Sequence, residues 1–384
     1  MKMVKENQLA ANVKKLRDFY ACVPDSPILK TEFGFYCLDR WIGEGYLKPY
    51  SEEKDYNAYL RKVFGYDEIA AFDFYNLGWC EAAMIPTFEE AVLEDRGKYE
   101  LVRDFAGRHV LYFKGRRNGF MPEYVEHPVK DLTTWKSEME WRLNPATPER
   151  LRESDELTKK AVTAEKEGKV IIQHIVGGYM YLRSLIGPED LLYKFLDDPG
   201  LIHACMQNWF ELNDAIIARH QQWVSLDEVF IGEDICYNGG SLISPDMIKE
   251  FLFVYYRALL DNCRKRQLDK TKKLHFHVDT DGFCVPVIDL YETLGMTYMS
   301  PFEVASNCDV VEIGKRYPDL LISGGIDKRI LAKTKDDIDR ELERIMPAMK
   351  KRGGYWPTCD HGVPEEVSFG NYMHFRERLA EYAD

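Results

Sequence analysis

With 384 residues, 45% of them hydrophobic, the chain has material for one large barrel or two average domains and is no small stapled module. A formal net charge of -13 argues against a surface that gathers nucleic acid or anionic lipid, because neutralising phosphates takes concentrated Lys and Arg. The nine cysteines are scattered without a CxxC pair, and no apolar run reaches the roughly 18 residues of a membrane span; both features lead us to expect a reducing, cytoplasmic setting.

In chain order, residues 1–30 read as a polar helical extension. Short apolar runs then recur at 33–37, 72–75, 170–176, 228–232, 273–278, 296–299, 320–324 and 354–358. Between them lie segments with apolar residues at i, i+3, i+4 spacing, among them 188–196, 201–223, 245–266 and 335–351. Such alternation implies parallel strands with helical crossovers. Eight candidate strands, with no GxGxxG after the first, predict an α/β fold of the (β/α)8 TIM-barrel type spanning 1–384 as one domain. Between the second and third strands, about 99–125 reads as an inserted β-hairpin at one mouth of the barrel. Its turns are expected at Phe105-Ala106-Gly107-Arg108 and Gly115-Arg116-Arg117-Asn118-Gly119.

In such barrels the reactive groups sit where strands end and βα loops begin. The fifth strand runs out through His275-Phe276-His277-Val278-Asp279-Thr280-Asp281, and alternation puts His275, His277 and Asp279 on one face. An imidazole and a carboxylate two residues apart can grip Zn²⁺, or can form a hydrogen-bonded polar strand end. Three other strand ends add Glu233, Asp234 and Tyr237; Glu303; and Cys359 with His361. Glu233 as a helix cap, Glu303 in a loop salt bridge and Cys359 as a buried inert thiol are the plain structural alternatives. His109, His127, His203, His220 and His374 read as structural, and His174 as a hydrogen-bonded core histidine within the third strand.

Several of these motifs, Gly232-Glu233-Asp234 with Tyr237, Leu242-Ile243-Ser244-Pro245, His277-Val278-Asp279, Gly324-Gly325-Ile326-Asp327 and Asp360-His361-Gly362-Val363-Pro364 with Asn371-Tyr372, together resemble the uroporphyrinogen decarboxylase superfamily. The resemblance runs from about Trp41 to the C-terminus and implies a (β/α)8 barrel. That superfamily holds true decarboxylases and a branch of cobamide-dependent methyltransferases. The Arg-rich motif of the decarboxylases is missing here, where Leu38-Asp39-Arg40-Trp41 carries one arginine. The methyltransferase branch is therefore the better match, and its zinc site carries over onto His277, Asp279, Glu303 and either His361 or Cys359, which a small loop shift exchanges. Asp279 and His361 stand where that branch has Cys, so the resemblance implies a harder, more Lewis-acidic zinc suited to an oxygen-bearing substrate.

The function this implies is O-demethylation: methyl transfer from a methoxylated, possibly aromatic, small molecule to a corrinoid (cobalamin), with Glu233 or Asp234 supplying a proton and Tyr237 orienting the substrate. No corrinoid-binding DxHxxG segment occurs in this chain, so the corrinoid is expected on a separate protein. Two alternatives remain open: a metal-independent decarboxylase (lyase) in which His277, Asp279 and Asp281 do acid-base work on a small carboxylic acid, and a non-catalytic binding partner. A homodimer is also open.

Overall fold

The computed structural model describes residues 2–115 and 122–383. Seven strands form one parallel sheet in which every neighbour in space is also the next in the chain. They are β1 (Ala71–Leu77), β2 (Val170–Val176), β3 (Glu228–Gly232), β4 (His275–Asp279), β5 (Tyr298–Ser300), β6 (Leu321–Ser323) and β7 (Tyr355–Trp356). Register is specified by burial on both faces. Glu228 lies between Ile172 and His275, and His277 lies beside Phe230 and Tyr298. Phe74 and Phe276 turn outward, onto His220 and Tyr291 of the surrounding helices, whereas Phe230 and His277 meet ring to ring at 4.8 Å inside.

The expected first strand, 33–37, is not one. This stretch makes only an isolated bridge from Phe35 to Val363, and it is tied toward the other sheet edge by the Lys30 carbonyl accepting from the Asp67 amide at 2.8 Å. Its physical role is to join the two edges of the sheet, with Glu32 accepting from the Cys359 amide at 2.8 Å and Thr31 from the Trp356 indole at 2.8 Å. Side-chain bonds thus replace a strand ladder.

The insertion between β1 and β2 is larger than a hairpin. Four antiparallel strands, Ala91–Arg96, Tyr99–Arg103, His109–Phe113 and Glu123–Glu126, make a separate sheet. The turn at Gly107 is as expected; the second one, at 115–119, lies outside the described residues from Arg116 onward. Arg108 anchors this sheet beside the end of β1, binding Glu81 at 2.6 Å and Asp104 at 2.8 Å.

The expected helices occur at Pro188–Asp197, Pro199–His220 and Lys335–Arg352, while 245–266 holds a wider turn over Ile248–Phe253 between two α-helical parts. Asp198 and Thr334 cap the N-termini of the second and third, and Thr334 shares a reciprocal capping box with Asp337. Thr334→Ala is expected to lower unfolding free energy by about 1 kcal/mol in urea titration, with no change of denaturant slope. No helix among the described residues is long and apolar enough to cross a membrane.

Candidate active site at the C-terminal mouth

The side chains that β3, β4 and β5 turn inward form one hydrogen-bonded column. Tyr20, from the N-terminal helix Lys2–Tyr20, donates its hydroxyl to Glu228 Oε2. Glu228 Oε1 meets His277 Nδ1 at 2.8 Å, His277 Nε2 meets Ser300 Oγ at 2.8 Å, and Ser300 donates to Asp279 Oδ2 at the strand end. His277 also stacks on Tyr298, with ring centroids 3.5 Å apart. Burial alone would raise the Glu228 carboxyl, but His277 and the Tyr20 hydroxyl hold it below the ordinary glutamate value.

Above Asp279 lies a mouth lined by carboxylates from successive loops. Asp234 takes a left-handed backbone conformation, φ 45°, unusual for a residue with a Cβ, and binds Arg183 Nη2 at 2.6 Å. Glu303 accepts from the Gly282 amide at 3.0 Å and from Lys328 Nζ at 3.1 Å. Asp360 is buried and accepts from the Val304 and Lys328 amides at 2.8 and 3.0 Å, so it staples the loops after β5 and β6 together. Asp281 forms no ion pair with a Lys or Arg among the described residues: its partner is His361 Nε2 at 3.7 Å, and Lys328 acts on it only from further off. Burial, and then the charges of Glu303, Asp234 and Asp279, push the Asp281 carboxyl up to about 7. The Gly362 amide donates to His361 Nδ1 at 2.8 Å, which leaves Nε2 to carry the proton that faces Asp281.

Aromatic rings edge this mouth. Tyr36 lies nearly parallel to His361, 5.9 Å away with 12° between planes, and Phe33 packs on the same ring at 4.8 Å. Tyr237 is exposed and presses on Gly282, where a Cβ would come within 2.8 Å of its backbone at φ 81°.

Glu233, expected as a proton source, is sealed in the wall instead. It has no exposed surface, and its oxygens accept from the Tyr256 hydroxyl at 2.5 Å and the Tyr179 amide at 3.3 Å. Only a glycine fits at 177, since a Cβ there would fall 2.3 Å from Glu233 Oε2. Burial raises the carboxyl to about 7, against the pull of those two donors. A folded value above the unfolded one means that the folded state binds the extra proton, so stability falls as pH climbs from about 4.5 to about 7. Glu233→Gln is accordingly expected to be near neutral at pH ~5 and stabilising by about 2 kcal/mol at pH ~8, read by urea unfolding at both values.

The side chains expected to ligate zinc do not fit it. Among the described residues, no three His, Cys, Asp or Glu side chains converge on one point where a metal could sit. Both nitrogens of His277 are engaged by Glu228 and Ser300, Glu303 is held by Lys328, and His361 gives Nδ1 to the Gly362 amide and the Tyr36 hydroxyl while its Nε2 faces Asp281 at 3.7 Å. Cys359 is fully buried and its thiol is pushed well above the ordinary value, first by burial and then by Glu32, so it is no ready thiolate. Residues that sequence reasoning passed over do much of the organising: Glu228, Ser300, Arg183 and Lys328. The one available signal was an acid opening the otherwise apolar run Glu228-Val229-Phe230-Ile231, on the face of Phe230.

Comparison with known proteins agrees with this architecture. A model of the uroporphyrinogen decarboxylase (URO-D) family matches residues 121–382. A curated uroporphyrinogen decarboxylase from Hydrogenobaculum sp. (strain Y04AAS1) is 23% identical over 133 residues, and the match spans 35% of this chain and 36% of that protein. The solved structure of a methyltransferase from Methanosarcina mazei superposes with a TM-score of 0.55 at 12% identity, covering 93% of this chain and 95% of the other, a likeness of fold. With the family model reaching from the inserted sheet through β2 to β7 and on into the last helix, the chain belongs to the uroporphyrinogen decarboxylase family.

Proposed function

We propose that this chain transfers a methyl group from the oxygen of a neutral methoxylated small molecule with an aromatic body to a corrinoid carried by a separate protein. The observation that carries this reading is the charge pattern of the mouth. Arg183, Lys328 and Arg329, three cations from the loops at the strand ends, already face Asp234, Glu303 and Asp327 at 2.6, 3.1 and 2.8 Å. A decarboxylase must hold its substrate's carboxylate, and here that group would meet carboxylates instead. A neutral ether suffers no such repulsion. It does need a proton on its departing oxygen, and Asp281, half protonated at about pH 7, has one to give.

The reduced corrinoid of the partner supplies the nucleophile that accepts the methyl group. This chain's residues do the rest. Asp281 protonates the leaving oxygen as the C–O bond breaks, and the Nε2–H of His361 steadies the carboxylate that remains. Phe33, Tyr36 and Tyr237 offer faces against which a planar substrate can lie. No step is assigned to zinc, because its expected donors do not converge.

Isothermal titration with a neutral methoxybenzene and its carboxylated analogue tests the charge argument. The neutral compound is expected to bind about tenfold or more tightly, the equivalent of at least about 1.4 kcal/mol. Preference for the carboxylate would favour the lyase alternative.

A further inference from the structure

Two large rings at the mouth have no part in the steps above. Phe74 turns outward from β1, so Tyr75 turns inward, where its ring stacks on His174 of β2 at 4.1 Å with 25° between planes. His174 packs in turn on Phe230 of β3 at 4.6 Å, and Asp73 meets its Nε2 at 2.9 Å, which fixes the imidazole beneath the tyrosine. Trp79, from the loop after β1, reaches the end of β3. At Gly232 an added Cβ would fall 2.7 Å from both the indole Cδ1 and the Trp79 carbonyl oxygen, so the indole takes the place of the side chain that Gly232 lacks; its ring lies 6.5 Å from Phe230. We infer that Tyr75 and Trp79, on a floor of His174 and Phe230, form the seat that holds the ring of the substrate, and that they set its preference for a flat aromatic body over a saturated one.

Single apolar side chains on an outer surface are ordinary, but Tyr75 and Trp79 belong to the inner wall of the mouth and are still 59% and 44% exposed. Ring faces braced from behind and open in front make an apolar recess in a mouth otherwise lined by carboxylates. The recess and the acids adjoin. Gly232 is the register partner of Asp279, so the indole that covers it lies beside the strand end from which the chain runs on to Asp281. A flat ring can stack on both faces at once, whereas a puckered one presents its axial hydrogens and loses that contact. The seat takes its substrate class, an aromatic methyl ether, from the methyl-transfer reading; the ring preference itself requires no turnover.

Isothermal titration of the full chain with methoxybenzene and with methoxycyclohexane reads the seat directly, because the two ethers share a skeleton and only one is flat. The wild type is expected to bind methoxybenzene about tenfold or more tightly. Tyr75→Leu and Trp79→Leu are each expected to lose about fivefold in affinity for methoxybenzene and little for methoxycyclohexane, while Tyr75→Phe and Trp79→Phe, which keep a ring, retain most of it. Gly232→Ala, whose new methyl pushes the indole off β3, is expected to behave as Trp79→Leu. In ¹H–¹⁵N spectra the Trp79 indole signal, identified by its absence in Trp79→Phe, is expected to move upfield as methoxybenzene is added, and the same spectra show that each variant is folded. Equal affinity of the wild type for the two ethers, no binding of either, an indole signal that stays in place at saturation, or full ring preference in the double variant Tyr75→Leu with Trp79→Leu would each overturn the seat. The methyl-transfer reading fails separately, through tighter binding of the carboxylated ring with the preference for a ring intact.

Discussion

Asp281→Asn is expected to lower kcat by about 10²- to 10³-fold while leaving substrate affinity within a few-fold. The amide keeps the size of the carboxyl and its contact distance to His361, but has no acidic proton to pass to the leaving oxygen. The wild-type pH profile carries the same information. With its carboxyl raised to about 7 by burial and by Glu303, Asp234 and Asp279, Asp281 is mostly protonated below that pH and mostly ionised above it. Activity should therefore be high on the acid side and fall as pH rises through about 7. In Asp281→Asn that limb disappears, because the titrating group is gone. Equal loss at every pH, with the limb intact, would move the acid to another residue.

His277→Leu should cost about 3–5 kcal/mol of unfolding free energy, the largest stability effect predicted for a single side chain here. The cost comes less from the lost imidazole than from Glu228, which is almost fully buried and would keep only the Tyr20 hydroxyl. Replacing both partners, as Glu228→Met with His277→Leu, removes the stranded charge and should recover more than half of the loss. Glu228 is held below its unfolded value, so its contribution is complete above the ordinary glutamate range and is lost as pH falls through the lower folded value. Guanidinium melts of wild type, single and double variants at neutral and acid pH would show this. Additive losses in the double variant would mean that the two residues do not act as a pair.

The barrel strands were legible because β2 and β3 are mostly apolar runs bounded by turns, and parallel strands covered on both faces read that way. The first expected strand failed for a different reason. Phe33-Gly34-Phe35-Tyr36-Cys37 has the composition of a strand, but its neighbours on the two sheet edges meet it through Glu32, Thr31 and one bridge. No local pattern records that. The four-stranded insertion was underestimated because its outer strand, Ala91–Arg96, is mostly exposed and charged and reads as a loop. At the site, alternation correctly put His277 and Asp279 on one face, as the column shows. What alternation could not supply is the partner across the strand: Ser300 and Glu228 engage the imidazole, and those pairings follow from a register that only the folded sheet defines. Glu233 shows the same limit. Its place just after β3 suggests the mouth, yet the close approach of Gly177 and the Tyr256 hydroxyl turn it into the wall.

The central claim, methyl transfer from oxygen to a separate corrinoid, is tested most directly by a single-turnover experiment. The purified chain is mixed with a methoxybenzene and a corrinoid protein reduced to Co(I), and the cobalt spectrum and the aromatic products are followed together. The Co(I) absorption is expected to give way to that of methyl-Co(III) while an equal amount of phenol appears, and Asp281→Asn is expected to slow both by the same factor. An unchanged Co(I) spectrum, with carbon dioxide released from a carboxylated substrate in its place, would contradict the account and make this chain a decarboxylase.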